Sequence, residues 1–487
     1  MKAILKFNRN HCRTRYGYLW LVVVLSLVRF LAPAATLADF GYQHMAVDGQ
    51  IASGNRPLLL ICVNFAGQSP LPQPLSYYSN LVFSASQNPG FNGYFQAVSD
   101  GAFSFTPAGA ILVTLPAAGV FTNVYAQHPA PPNPFATADG VYASNIIHAA
   151  MSSFDFANYD ANQDGHVTQA ELAIVIIVSD SGWTLGGCRS VPSVPSAGII
   201  WGGGLVSLLG YPAPFIIMAE ETEETLGTPD IYGPDCLSCA LTPQSCFFSG
   251  DLYYLDPWNR MELGWCQPRI FSLTAGGITP LSAAQAGDPT APIILYDSSK
   301  GTNEFFLLEY RTHLNSVFGP GYDHDVALGQ SDGLVVWHIQ QDTNHNLVHV
   351  TSPISTNLTP SIWAEGSPNL IPGCPSTLWG SNAKTPVLKW MDGTQTATTL
   401  HVKPFNPGDN TITVQWLSAE DTWVDFNYSG SPQTGTFSNP YNSMNAGINA
   451  VSYGGTLHLK TGRSPETPLI TKPMKIVGYN GPASVGN

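Results

Sequence analysis

The chain has 487 residues, 44% of them hydrophobic, with 46 Gly and 39 Pro and only 11% charged. That composition excludes a disordered chain and fits two to four β-rich, loop-rich globular domains. Nineteen basic against 33 acidic residues give a net charge of −14, which excludes nucleic acid as a partner and suits an extracellular or cation-binding protein. In chain order, residues 1–38 read as an export signal peptide. Lys2, Lys6, Arg9, Arg13 and Arg15 precede the apolar run "YLWLVVVLSLV" (18–28), and "APAATLA" offers small residues for cleavage after Ala38. The apolar run is too short to span a bilayer comfortably, and an uncleaved N-terminal anchor is the alternative. The expectation is a secreted or periplasmic protein with no stable membrane span after cleavage.

Residues 58–65 predict a buried strand, and "FNGYFQAVSDGAFSF" (91–105) a short helix, a turn and alternating Phe. Helical spacing returns in "VYASNIIHAAMSSF" (141–154), and "AIVIIV" (173–178) is a second buried strand. Gly, Ser and Pro then dominate to about residue 214. "PFIIMAEETEETL" reads as one helix closed by Gly227. From about residue 270, short alternating strands separated by Gly and Pro turns ("NEFFLLEYRT", "DGLVVWHIQ", "PVLKWMD", "TTLHVKPF", "NTITVQW") predict a β-sandwich. Cys236, Cys239, Cys246 and Cys266 crowd one stretch, where cross-links or a zinc knuckle are the alternatives, while Cys62 in its apolar strand is the expected free thiol.

Two stretches carry chemistry. "DANQDGHVTQAE" (160–171) has the spacing of a twelve-position calcium loop. Asp160, Asn162 and Asp164 stand at positions 1, 3 and 5, and Gly165 at the sharp turn. His166 offers its carbonyl at 7, Thr168 sits at 9, and Glu171 is the bidentate candidate at 12. Because a strand follows, the loop reads as a structural calcium site; the alternative is an Asx-rich turn. "QDTNHN" (341–346) is a weaker cluster of the same type.

The second stretch is "MAEETEETLGTPDIYG" (218–233). On a helix, Glu220 and Glu224 share a face one turn apart, with Glu221 displaced by about 100°. Asp230 follows beyond a Gly turn. This is the layout of a helix-borne metal site, two ligands at i and i+4, an acid beside the first and a third ligand after the turn. Without a cation the clustered Glu repel one another and oppose the helix macrodipole; an exposed, solvated acidic helix end is the alternative.

"EETEETLGTPDIYG" resembles the HExxHxLGxPDxYG signature of immune inhibitor A-type metallopeptidases, a secreted bacterial zincin family. "LDPWNRMELGW" (255–265), "EFFLLEYRT", "GLVVWHIQQD" and "LWGSNAKTPVLKWMDGT" are similar to later segments of that family, so the likeness covers roughly residues 55–417. The resemblance implies an α+β chain: a zincin-like metallopeptidase domain (39–268), a β-sandwich (269–418) and, from a separate likeness to right-handed parallel β-helices, a short β-helix-like segment (424–487). It implies Glu221 as general base and Asp230 as third metal ligand. Glu220 and Glu224 stand where the family has its zinc-binding histidines, and "LTPQSCFF" replaces the Met-containing turn.

Three carboxylates suit calcium, magnesium or manganese better than zinc. Two neutral His and one carboxylate leave a zinc site at about +1, whereas three carboxylates leave it at about −1 and cancel most of the pull on bound water. Three functional readings follow. One is a degenerate family member with little or no zinc-dependent proteolysis, kept as a binding or structural protein. Another is an active metalloendopeptidase using an atypical cation on a protein or peptide substrate. The third is a calcium-stabilised adhesin or carbohydrate-binding protein with an extracellular partner.

Overall fold

A computed structural model describes residues 35–84, 90–116, 135–179, 186–196, 199–211, 213, 215–229, 242–244, 254–312, 332–348, 350–351, 358–359, 362–364, 378–385, 387–396, 398–418, 422–451, 455–472 and 474–486. Residues 1–34 of the expected leader, Asp230, Cys236, Cys239, Cys246 and Cys374 lie outside the described residues. The first sheet contains β1 (Gly54–Phe65), β2 (Phe103–Leu115), β3 (Ala173–Val178), β4 (Gly186–Val191) and β5 (Gly204–Gly210), in the order β2-β1-β3-β5-β4. The first four in that order run parallel and β4 closes the edge antiparallel.

The apolar runs seen in the sequence are continuous because this sheet is covered on both faces. Leu58, Leu60, Cys62, Val175 and Ile177 face one core, built with helices α1 (Leu75–Phe83) and α2 (Phe91–Val98). Leu59, Ile61, Val63, Ile174 and Ile176 face the other, under helix α3 (Phe135–Ala150) and Trp201. Helix α4 (Phe215–Glu224) lies on the first face, with Ile216, Ile217, Met218 and Ala219 in the core. The acidic segment is thus a helix, as its pattern predicts, and it ends at Glu224 with Gly227 at φ +110° in the turn that follows.

The Gly-, Ser- and Pro-rich stretch before residue 214, to which the sequence reading assigns no element, contains strands. Residues 186–210 hold β4 and β5 together with short strands at Val194–Ser196 and Ile199–Trp201. Gly-rich sequence has little period to read, and it is the ladder offered by β3 that makes β5 a strand.

A second body of sheet follows helix α5 (Pro257–Glu262). Its strands are β6 (Arg269–Ser272), β7 (Gly277–Ser282), β8 (Ile293–Tyr296), β9 (Glu304–Arg311), β10 (Gly333–Gln340), β11 (Ile362–Ala364), β12 (Thr398–Val402) and β13 (Thr411–Ser418). They form a five-stranded sheet, β6-β8-β9-β10-β11, and a three-stranded one, β7-β13-β12. Leu295, Phe306, Leu308 and Val336 from the first meet Leu281, Leu400, Val414 and Trp416 from the second in one core, so the two sheets pack face to face. Among the described residues of "PVLKWMD" (387–392) there is no strand; Leu388 and Trp390 enter this core from a segment paired through isolated bridges. After β14 (Thr422–Val424) comes helix α6 (Met444–Ala450). β14, β15 (Thr456–Ser464) and β16 (Lys475–Val485) then stack in parallel. Overall the fold is mixed α/β with more strand than helix. Among the described residues no helix is long and apolar enough to cross a membrane.

Helix α5 joins the first two bodies. Asp256 caps it by accepting from the Asn259 amide at 2.9 Å. Trp258 donates through Nε1 to Gln341 at 3.2 Å. Arg260 is fully buried: its Nε donates to the Val98 carbonyl at 2.7 Å, Nη2 pairs with Asp100 and Nη1 lies 3.5 Å from Glu309. Glu309 also pairs with Arg311 at 2.7 Å and accepts from Trp337. Burial works against charge on Arg260, but Asp100 and the groups around it outweigh burial, and its pKa rises above the ordinary arginine value. Removing one member strands buried carboxylates. Arg260→Ala is expected to lower unfolding stability by about 3–5 kcal/mol in urea titration, and a loss under 1 kcal/mol would contradict this role.

Candidate functional site

The four Glu of helix α4 do not share one environment. Glu223, which helical spacing assigns no role, is fully buried; Glu220 is 5% exposed, while Glu221 and Glu224 are half-buried. Tyr94 on α2 donates to Glu223 Oε1 at 2.7 Å and Gln244 Nε2 donates to its Oε2 at 2.9 Å. Burial, offset in part by these two donors, pushes the Glu223 carboxyl up to about 8. One member of the cluster is therefore predominantly neutral at pH 7. The repulsion expected among charged Glu without a cation is smaller than the sequence count implies.

Gln244 belongs to the "LTPQSCFF" stretch, and its Nε2 also reaches the Glu220 carbonyl at 3.4 Å. A polar amide thus packs against this helix. Nothing local in the sequence pairs Glu223 with Tyr94, 129 positions away. A buried acid inside an otherwise apolar face of "FIIMAEETEE" was the only available signal.

Asp160, Asn162, Asp164, Thr168 and Glu171 lie together on one hydrogen-bonded turn. Asp160 Oδ1 and Oδ2 accept from the amides of Asp164 (3.1 Å) and Gly165 (2.9 Å), and Asp164 Oδ1 accepts from the His166 amide at 2.8 Å. Asn162 bridges to Asp164 through both its side-chain atoms. Glu171 folds back over the loop, taking the Ala161 amide on Oε1 at 3.0 Å and the Thr168 amide on Oε2 at 2.9 Å. Gly165 adopts φ +84°, the left-handed turn that position requires. His166–Val167 then pairs in parallel with Ile200–Trp201.

Gln169, inside this loop, ties it to the acidic helix. Its Nε2 donates to the Thr225 carbonyl at 2.8 Å, one residue past the end of α4, and its Oε1 accepts from the Leu205 amide in β5. The side chain is buried and reaches both elements at once.

No protein-family model matches the chain, and a search of curated proteins finds no match. The functional reading therefore rests on the arrangement of residues. Among the described residues no group of three or more His, Cys, Asp or Glu is gathered as a metal-binding cluster; residues 160–171 place acids beside Asn and Thr side chains. The second acidic segment is a closed turn. Asp342 Oδ1 accepts from the amides of Asn344 (2.7 Å) and Asn346 (3.0 Å).

Cys62 is a buried free thiol, as expected, and Cys266, expected among the cross-linked group, is another. Burial pushes both up to about 12, so neither is a nucleophile at neutral pH. Trp258, Trp265, Trp337 and Trp390 are buried packing residues.

The raised Glu223 pKa has a definite linkage sign. A carboxyl held at about 8 in the fold and near 4.3 when unfolded contributes stability that is complete below about pH 4.3 and lost as the pH rises to about 8. Glu223→Gln keeps the shape and removes that slope. The stability difference between variant and wild type, measured by urea unfolding, should grow in the variant's favour by a few kcal/mol between pH 5 and pH 8. An unchanged difference would show that Glu223 ionises normally.

Proposed function

We propose that this chain is a degenerate member of the immune inhibitor A-type metallopeptidase group, with little or no zinc-dependent proteolysis, retained as a secreted binding or structural protein. The donor set along α4 carries the reading. Glu220 and Glu224, one turn apart on that helix, are carboxylates at the two positions where the resemblance asks for imidazoles. Zinc does not fit such a set: carboxylates in place of two neutral imidazoles cancel the positive charge that acidifies bound water. No hydrolytic step through zinc is therefore derived, and Glu221, in the general-base position, has no activated water to serve. A parallel sheet with an antiparallel edge strand, and an acidic helix packed on one face, support a zincin-like ancestry. Parallel stacking of β14, β15 and β16 supports the β-helix-like reading of the tail.

Calcium fits its loop. Asp160, Asn162, Asp164, the His166 carbonyl, Thr168 and Glu171 are hard oxygen donors on one turn, and the ion would supply the charge that holds those oxygens together. Through Gln169 it would also steady the end of α4. Addition of excess calcium is expected to raise the thermal unfolding midpoint, with about 2.7 kcal/mol gained at a hundredfold excess over Kd. Glu171→Gln should remove most of that response; an identical response in the variant would place calcium elsewhere.

The deciding test is metal analysis of the purified protein beside a peptidase assay on wild type and on Glu221→Gln. Calcium without zinc, and no hydrolysis by either protein, is the expected result. Stoichiometric zinc or manganese with activity abolished by the substitution would establish an active metalloendopeptidase instead. The double variant Glu220→His, Glu224→His should gain zinc affinity by at least tenfold, measured by competition with a chromogenic chelator; no gain would mean α4 is not the descendant of a zinc helix.

A further inference from the structure

The stack of β14, β15 and β16 has one covered side and one open side. On the outer edge of β14 the Trp423 amide donates to the Gly435 carbonyl at 2.7 Å, and the Tyr441 amide donates to the Trp423 carbonyl at 3.0 Å. Among the described residues no strand lies along the outer edge of β16. The inner stripe shows the same difference. Thr422 and Leu457 are buried in one column, and Ile476, the next residue in it, is 41% exposed. An open edge carrying an exposed apolar side chain is a template for pairing.

Apolar exposure and charge both distinguish this module from the rest of the chain. Eight large hydrophobic side chains are exposed among the described residues, and five of them belong here: Phe437, Leu469, Ile470, Ile476 and Tyr479. Residues 424–487 carry four basic and two acidic side chains, a net charge of +2. Residues 39–423 carry nine basic and 31 acidic ones, a net charge of −22. Two copies that approach through their acidic bodies repel strongly, whereas two that approach through this module repel far less.

The edge of β16 is self-complementary over Lys475–Tyr479. The Lys475 amide donates to the Gly455 carbonyl at 2.9 Å, towards β15. By the alternation of a strand, Ile476 and Gly478 present their N–H and C=O groups to the open side. A two-fold axis through Val477 therefore sets Ile476 of each copy against Gly478 of the other in hydrogen-bonded pairs. It sets Lys475 against Tyr479, and Val477 against itself, in non-hydrogen-bonded ones. Gly478 leaves room for the isoleucine, since a Cβ there would meet nothing nearer than the Gly481 carbonyl oxygen at 3.4 Å. Lys475 against Tyr479 brings an ammonium to an aromatic ring. Beyond Tyr479 the edge is spoiled: Asn480 and Gly481 adopt φ +56° and +141°, and Pro482 has no amide to donate.

We propose that β16 is a dimerisation edge, on which a second copy of this chain pairs antiparallel over residues 475–479 with the two-fold axis at Val477. The covered edge of β14 prevents head-to-tail stacking, so the assembly closes at two. Five paired residues on each side bury less than the roughly 1,000 Å² of a permanent interface. The dimer is accordingly weak, with a Kd on the order of 100 μM. The pairing uses no residue of the acidic helix or of the turn at 160–171, so it stands apart from the metallopeptidase reading.

Sedimentation velocity of the purified chain from about 10 to about 500 μM should show monomer giving way to dimer. A monomer throughout, or species that grow beyond two copies, overturns the proposal. Ile476→Asp should weaken the dimer by about tenfold or more, while Ile278→Asp, at a similarly exposed position in β7, should leave it unchanged. A dimer indifferent to Ile476→Asp uses another face, and the proposal fails. Cross-linking tests the register. The two Val477 Cα atoms are expected about 4.5 Å apart, within disulfide reach, whereas the two Lys475 Cα atoms are about 13 Å apart. Mild oxidation should therefore give a covalent dimer from Val477→Cys that neither wild type nor Lys475→Cys forms. No cross-link from Val477→Cys, or an equal yield from both variants, overturns the pairing, and this arm decides the case if Ile476→Asp does not fold.

Discussion

The buried guanidinium of Arg260 is the constraint on which the arrangement of the described bodies depends. Its Nε holds the end of α2 through the Val98 carbonyl, while its other nitrogens meet Asp100 on one side and Glu309 on the other. Buried ion pairs add little net stability compared with an apolar filling, but they are directional, and one misplaced partner is costly. Here that directionality links the first sheet's helices to β9 of the sandwich. Tyr254, donating to Ala97 at 2.6 Å and lying beneath both Arg260 and Arg311, seals the cluster from water. A helix of only six residues thereby serves as the joint.

From that joint the position of the acidic helix follows. Fixing the end of α2 fixes Tyr94, and Tyr94 together with Gln244 decides which of the clustered Glu is drawn inward. Glu223 gives up its charge to burial, leaving Glu221 and Glu224 nearer solvent. The other end of the helix is anchored by Gln169, whose single side chain is shared between Thr225 and β5. Loop, helix and sheet are therefore connected through one buried side chain.

Much of this was legible in the sequence. Six apolar residues in a row at 58–63 and six at 173–178 mark strands covered on both faces, and they form the centre of the sheet. The twelve-position spacing required no knowledge of the rest of the chain, because every candidate donor and the Gly turn lie within it, whereas Gln169 and the Gly165 and Val167 carbonyls bond to residues outside it. Helix α4 was readable from its apolar half. By contrast β4 and β5 were hidden, since a strand of Gly, Ser and Leu shows no alternation until a neighbouring strand gives it a ladder. Cys266 looked like part of a cross-linked group, yet it faces the Pro257 carbonyl inside the joint.

What the sequence alone determined is whatever local spacing decides: the turn at 160–171, the helix carrying Glu220, Glu221, Glu223 and Glu224, and the apolar strands. What only the tertiary structure decided is the state of individual side chains. Glu220 and Glu223 differ from Glu221 and Glu224 in burial, and Glu262 differs from every exposed acid, although all are written with the same letter. The reason is physical: a carboxylate's charge is set by the donors and dielectric around it, and those come from residues as distant in sequence as Tyr94 and Gln244.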